Sequence, residues 1–395
     1  MAITGLFHRL LPAGFYYKTF MWPVSGWKLY EHFIRRAAGL GRSPEEPDED
    51  TYDKINAHAD VVVVGAGPAG LAAARTAALS GARVILVDEQ VELGGQLLNE
   101  RFIIDGKPAL DWVAEVEQEL MANPNVTVLK HTTAFGYYDH NFICFLQNRS
   151  DNVAYGADGR TRQRVWRVRA KRVILATGAI ERPLIYVDND RPGCMLASAL
   201  RAYVNRYGVK PGTRHVIFTN NDDAYRTALD LKAIGADVAC VIDIRPDPKG
   251  ELVTRAHEAG IEVIENSAIS GVLGTKRVKG VEVMALNDSG DGVIGRSRTI
   301  QCDVIGSSGG WNPVIHLHSH AEHTAGANQG SFSLHSALTE GIQAAKDAVE
   351  ILGLKIKSKI ASHAVGTDVV EERWRLLWYI PTTAPTGQRG KHFLD

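Results

Sequence analysis

The chain has 395 residues, 45% hydrophobic and 23% charged, with a formal net charge of −1. That is globular composition with room for two or three domains, and the near-neutral balance argues against a nucleic-acid partner. No apolar run is long enough to span a membrane, and the four cysteines (Cys144, Cys194, Cys240, Cys302) form no C-x-x-C pair, which speaks against a disulfide framework, a zinc knuckle and a redox dithiol and suits a reducing, cytoplasmic compartment.

Residues 1–59 show no domain pattern. Phe7, Phe15, Tyr16, Tyr17, Phe20, Trp22 and Trp27 make this stretch an aromatic arm. His8, Arg9, Pro12 and Lys18 interrupt it, and no small-residue cleavage site is present after it, so a signal peptide is not expected. The spacing predicts an amphipathic helix over 27–41, then an exposed acidic turn, SPEEPDED. An arm this small cannot bury its own apolar surface. It is expected to lie on its own domain, on another subunit or on a cofactor edge.

The stretch from Asp60 to Gln96 organises the rest of the chain. Val61–Val64 is an apolar β-branched run, the pattern of a strand buried on both faces. Gly65, Gly67 and Gly70 stand at G-x-G-x-x-G spacing, with Pro68 and Ala69 between them. An alanine-rich helix runs to Leu79 and stops at Gly81. Arg83–Val87 is a second strand, ending at Asp88 and Glu89. Gly65 permits the tight turn, Gly67 lets a pyrophosphate approach the backbone, and Gly70 lets the helix pack closely on the sheet. The helix N-terminus offers unpaired N–H groups to the phosphates. Asp88 lies where a carboxylate can bind both ribose hydroxyls and repel a 2′-phosphate. Strand, glycines, helix and acid together predict dinucleotide binding, without separating NAD from FAD.

A helix is expected over 109–121. Strands of an antiparallel meander are expected over 125–138, 141–147 and 163–169, with turns at Asp139-His140 and Gly156–Gly159. Arg172–Leu175 should be a buried strand running into ATGAIERP, where Thr177 can hydrogen-bond a cofactor and Gly178 adds no bulk. The order then repeats: strand 215–219, helix 222–234, strand 237–242, helix 250–259, strand 261–265, a meander over 270–298, and a closing strand 302–306 running into SSGGWNP. Two nucleotide-binding folds in tandem is the natural reading. The second departs from the first where glycines should stand, with Thr219-Asn220-Asn221-Asp222-Asp223. Side chains would crowd a pyrophosphate there, and the two acids would repel it, so the second unit is expected to be empty or to bind something without a pyrophosphate there. A glycine-rich turn and a long helix fill 324–350, and a tail with Trp374 and Trp378 comes last.

These residues carry a family resemblance. GAGPAG…DEQVELGGQ paired with ATGAIERP and SGGWNP resembles the flavoprotein fold with two dinucleotide-binding (FAD/NAD(P)-binding, glutathione-reductase-like) domains. PAGFYYKTFMWP, IRRAAGLG, NDRPGCM and GGWNPVIHLHSHA look more closely like the alpha subunit of heterotetrameric sarcosine oxidase, central region only. The resemblance implies an α/β fold of two tandem Rossmann-like domains, the second inserted in the first. The first would cover 60–182 and 301–350, the second 183–300, and residues 351–395 would lead to a folate-binding domain. It implies NAD at Gly65, Gly67, Gly70, Asp88, Glu89, Gly95, Gln96, Thr177 and Gly178. It further implies a beta subunit that carries FAD and oxidises sarcosine, smaller subunits, an FMN at the interface, and peroxide as product. After HLHSHAEH the family has a further strand and a proline-glycine turn, and here Thr324 arrives almost at once.

Other residues weigh less. His316, His318 and His320 alternate and would share one face of a strand, but no carboxylate or thiolate set accompanies them beyond Glu322, so no metal is expected. Ser307 and Ser308 are not in G-x-S-x-G order. Arg182 suits a phosphate contact or, more simply, a surface ion pair. No catalytic residue is assigned. Two other readings stay open: a self-sufficient FAD-dependent oxidoreductase acting on an amine or opine as small-molecule substrate, and a non-catalytic scaffold stabilised by its nucleotide.

Overall fold

The computed structural model describes residues 23–37, 39, 45–150, 161–360, 362–366 and 374–381. These fall into two units, one drawn from the first fifty residues and one from 51–394. In the first, the expected helix spans Trp27–Ala37, and Glu31 pairs with Arg35 one turn on. The aromatic residues before Trp27, the Gly156–Gly159 turn and most of the PTTAPTGQRG turn lie outside the described residues.

The larger unit is built on two sheets. The first starts at Tyr52, well before Asp60. Strand Tyr52–Val64 runs parallel to Gln163–Leu175 along its length. In place of the two strands expected at 163–169 and 172–175, the chain forms one. Val84–Val87 and Val126–Leu129 extend the sheet on one side in parallel. Phe142–Asn148 and Thr132–Tyr138 extend it on the other side as an antiparallel pair. Helices Pro68–Ala78, Ala109–Ala122 and Leu334–Ile351 cover one face and bury the alanine-rich core with Val61, Val63 and Leu86. The last helix returns from beyond the second sheet to pack on Pro68–Ala78. A Cβ on its Gly341 would strike the Ala69 carbonyl, so only glycine lets the two helices come this close.

The second sheet is wholly parallel, in the order Cys194–Leu196, Val304–Ser308, Arg214–Thr219, Asp237–Asp243, Val263–Ile264. Helices Ala197–Asn205, Asp223–Ala233 and Glu251–Glu258 pack on it. An antiparallel meander, Ser267–Leu273, Gly280–Leu286 and Val293–Gln301, covers its other side. The fold is thus two tandem Rossmann-like domains, the second inserted in the first. At the point where the family would have a further strand and a proline-glycine turn, a two-residue strand, His323–Thr324, runs parallel to Ile174–Leu175.

Candidate functional site

Both Rossmann-like domains lie within the larger unit, and strand pairing superposes them as its first and second Rossmann units. In the first, Val64 pairs with Val87 on one side and Leu175 on the other. In the second, Thr219 pairs with Asp243 and Ser308. Gly65 therefore corresponds to Asn220, Asp88 to Ile244, and Ala176 to Gly309.

The first loop opens on a cavity of about 580 Å³. Gly65, at φ +98°, turns the chain out of the strand where any side chain would meet Ala176. A Cβ on Gly67 would meet only Gly95 Cα, at 4.0 Å, while one on Gly95 would come within 2.8 Å of Gly67 Cα. Gly67 thus leaves room that no described residue fills. The helix it precedes starts at Pro68 with no side-chain cap, leaving first-turn N–H groups free for an anion. Helix Leu334–Ile351, which also borders the cavity, is by contrast capped by Ser333, whose Oγ accepts from Ser336 N at 3.1 Å.

Asp88 lies at the end of its strand as expected, and its carboxylate also shapes the loop. One oxygen accepts from Ala66 N–H at 2.6 Å and the other from Gln90 N–H at 2.7 Å. Burial raises its pKa, and these two hydrogen bonds offset part of that rise. Gly65, Gly67, Pro68, Ala69, Asp88, Glu89, Gly95, Gln96, Thr177 and Gly178 all line the cavity. Gly70 does not; it faces the Gly65 carbonyl behind the loop, where a Cβ would clash. The Thr177 hydroxyl is already engaged, donating to the Val314 carbonyl at 2.7 Å and accepting from Asn328. Its donor is used, and one acceptor lone pair of the hydroxyl remains for a ligand.

The cavity's far wall comes from residues not expected to line the cofactor site. Glu100, Phe102, Asp223, Arg226, Trp311, Phe332 and Trp374 line it. Arg201, fully buried, bridges Glu100 at 3.0 Å and Asp223 at 2.8 Å, tying the first unit to the second. Asp223 also accepts from Trp311 Nε1 at 3.2 Å. Burial, the largest single influence, would raise its carboxyl, but the charge and hydrogen bonds of Arg201, with the Arg226 charge and the Trp311 N–H, together hold it below its ordinary value. Burial pushes Glu100 up, against the pull of the same guanidinium.

The second loop is packed solid. Asn220, Asn221 and Asp222 are buried. Asn221 Oδ1 takes the N–H of Asp223, the first residue of the next helix, at 3.0 Å, and its amide reaches Ser308. Asp222 pairs with Arg245 at 2.7 Å, and Arg245 also holds Asp243 at 2.7 Å. The expected repulsion from Asp222 and Asp223 is therefore corrected: each is neutralised by an arginine, and side-chain volume fills the loop. Segment 374–380 lies across the same cleft. Asn220 Nδ2 donates to the Arg375 carbonyl at 3.1 Å, Arg375 Nη1 to the Ile244 carbonyl at 2.6 Å, and Trp378 Nε1 to the Gly309 carbonyl at 2.6 Å. Asn220, Ile244 and Gly309 correspond to Gly65, Asp88 and Ala176, the edges of the open cleft in the first unit.

The histidine run is not a strand. His318–His320 is a 3-10 turn, so the alternation does not place the imidazoles on one face, and only His316 borders the cavity. Among the described residues no group of three or more His, Cys, Asp or Glu gathers as metal ligands. Among them, too, no helix is long and apolar enough to cross a membrane. All four cysteines are free, and burial pushes Cys194 to about 11 and Cys240 and Cys302 to about 12, which keeps them thiols at neutral pH.

Comparison with known proteins agrees with this fold. The chain is 44% identical over 356 residues to sarcosine oxidase subunit alpha of Rhizobium meliloti, covering 89% of this chain and 35% of that protein. It is 38% identical over 367 residues to the same subunit of Corynebacterium sp. strain P-1, covering 87% and 37%. The chain thus spans about a third of the length of these relatives. Among solved structures, Lactococcus lactis thioredoxin reductase superposes with a TM-score of 0.58 at 19% identity, covering 75% of this chain and 99% of that one, which is a likeness of fold. The family profile described as pyridine nucleotide-disulphide oxidoreductase matches residues 59–330, and the chain belongs to that family.

Proposed function

We propose that this chain is the NAD-holding region of the alpha subunit of a sarcosine oxidase-type complex. That complex would oxidatively demethylate sarcosine to glycine, form hydrogen peroxide and pass the methylene to tetrahydrofolate. The observation that carries the cofactor reading is the contrast between loops: one glycine cradle lies open at an uncapped helix N-terminus, and its counterpart is filled. That contrast supports one dinucleotide per chain.

The residues present fit NAD⁺. The first-turn N–H groups of helix Pro68–Ala78 face the place for a pyrophosphate, beside Gly67 and Gly95. A carboxylate has about four lone-pair sites, so Asp88 keeps acceptors for ribose hydroxyls beyond the two N–H groups it holds. Gln96 and Gly178 border the same cavity. Bound NAD⁺ supplies a ring that can accept a hydride. The chain's own carboxylates at the far wall are held in ion pairs with Arg201 and offer no free nucleophile–base pair. The oxidation of the amine is therefore assigned to a flavin-carrying beta subunit, with FMN at the subunit interface, in a cytoplasmic hetero-oligomer.

The test begins with the absorption spectrum of the purified protein and mass analysis of what heat releases. NAD⁺ from a colourless protein is the expected result. Stoichiometric flavin bands would put FAD in the cradle instead, and the absence of any nucleotide would end the proposal. Adding the beta subunit and sarcosine and measuring peroxide then tests the assembly.

A further inference from the structure

Among the described residues Arg182 is not in the surface ion pair that is its simpler reading. Its guanidinium lies 4.1 Å from the centroid of the Trp378 ring, and among the described residues no carboxylate pairs with it. Both residues are fixed by the backbone. Arg182 N donates to the Gly310 carbonyl at 2.7 Å, Gly309 N to the Arg182 carbonyl at 2.6 Å, and Ile185 N to the Trp378 carbonyl at 2.7 Å. Beside them is a hollow of about 350 Å³, walled by Trp311, Pro313, Phe332, Trp374 and Trp378. Phe332 and Trp374 stand 6.0 Å apart, ring to ring. Among the described residues no acidic side chain lines the hollow, and it shares Trp311, Phe332 and Trp374 with the main cavity.

Stacking on Trp378 uses the face of the guanidinium and leaves its in-plane N–H fork open, which matches a carboxylate in bidentate geometry. The aromatic walls suit an apolar body. An organic cation would be drawn to the rings but repelled by the charge already stacked there. A phosphate dianion would find one guanidinium and no second cation in an apolar hollow. We propose that this annex binds a small monocarboxylate with an apolar body, its carboxylate on the edge of Arg182 and its body between Trp311, Phe332 and Trp374. The proposal does not depend on which dinucleotide the main cavity holds.

Benzoate is a suitable probe, titrated into the full chain and followed by tryptophan fluorescence, since three of the seven tryptophans line the annex. Saturable quenching is expected, with neutral benzamide and benzyltrimethylammonium binding about tenfold more weakly or worse. Arg182→Gln should weaken benzoate by about tenfold or more, while Arg182→Lys, which keeps the charge but not the fork, falls between. Heat-released nucleotide should stay at the wild-type level in both variants. No benzoate binding, equal binding of benzoate and benzamide, inorganic phosphate as tight as benzoate, or benzoate binding untouched by Arg182→Gln would each overturn the proposal. The benzoate–benzamide comparison uses the wild-type chain and stands even where a variant fails to fold.

Discussion

The loops at 65–67 and 220–222 leave equivalent strands in equivalent sheets and both reach the main cavity, yet one leaves space beside its glycines and the other is filled by its own buried side chains. In the first, Gly67 and Gly95 face each other through backbone alone and leave space beside the helix N-terminus. In the second, Asn221 supplies to the adjoining helix the acceptor that an anion would supply in the first, and Arg245 supplies the counter-charge. The same architecture thus has two stable solutions for an exposed helix N-terminus: bind an anion, or bring a side-chain acceptor of its own.

The strongest way to break this comparison is to unpack the filled loop. Arg245→Met leaves Asp222 and Asp243 buried without their counter-charge and should cost about 3–5 kcal/mol of stability in urea unfolding. Nucleotide affinity at the other loop should hold. A loss below about 1 kcal/mol would mean the ion pairs do not secure the loop. The converse is to fill the open cradle with Gly67→Glu. Two charges about 4 Å apart at an effective dielectric near 20 differ by about 4 kcal/mol, roughly a thousandfold in affinity. Calorimetry should show that loss with little change in melting temperature, because a Cβ at Gly67 meets only Gly95 Cα at 4.0 Å. Unchanged affinity would move the site elsewhere.

A third variant probes the join between the units. Glu181 lies just past the first unit's strand Gln163–Leu175 and accepts from Ser198 N–H of the second unit at 2.8 Å. Burial pushes its carboxyl from the ordinary 4.5 to about 7. Its folded value lies above its unfolded one, so the stability its neutral form contributes is complete below pH 4.5 and is lost as pH rises through about 7. Glu181→Gln should flatten that fall by up to about 3 kcal/mol, read from unfolding curves between pH 4.5 and 8. Part of the slope should remain, since Glu100 shifts in the same direction. An identical slope in the variant would remove Glu181 as its source. The smallest effect is expected from Asp88→Asn. It keeps an acceptor but removes the charge facing a 2′-phosphate, so the ratio of NADP to NAD dissociation constants should narrow by about tenfold, near 1.4 kcal/mol. A ratio left as in wild type would show that another group reads the ribose.

Much of this architecture is legible in order along the chain. The strand–glycine–helix–strand run and its degenerate repeat announce themselves through apolar runs, alanines and glycines, each acting within a few residues. Only the end of strand Tyr52–Val64 shows in the sequence, because its first half alternates half-buried with exposed residues, among them Asp53 and Lys54, and carries no apolar run. Gln163–Leu175 reads as two strands because Arg169 and Lys171 break its pattern. Parallel pairing with Tyr52–Val64 carries it through. The acids at 222 and 223 read as repulsive because their neutralising partners, Arg245 and Arg201, lie outside the loop in sequence.

The sequence by itself determined the two nucleotide-binding folds, the place of the open cradle and the acid beside it, because backbone conformation at glycines and helix starts depends on near neighbours. Tertiary structure decided the rest: that Arg201 and Arg245 cancel the buried charges, that residues 374–380 close the second cleft, and that Trp311, Phe332 and Trp374 meet around one hollow. Neutralising a charge or enclosing a volume takes groups that meet only when distant segments fold together, and no local pattern records which segments those are.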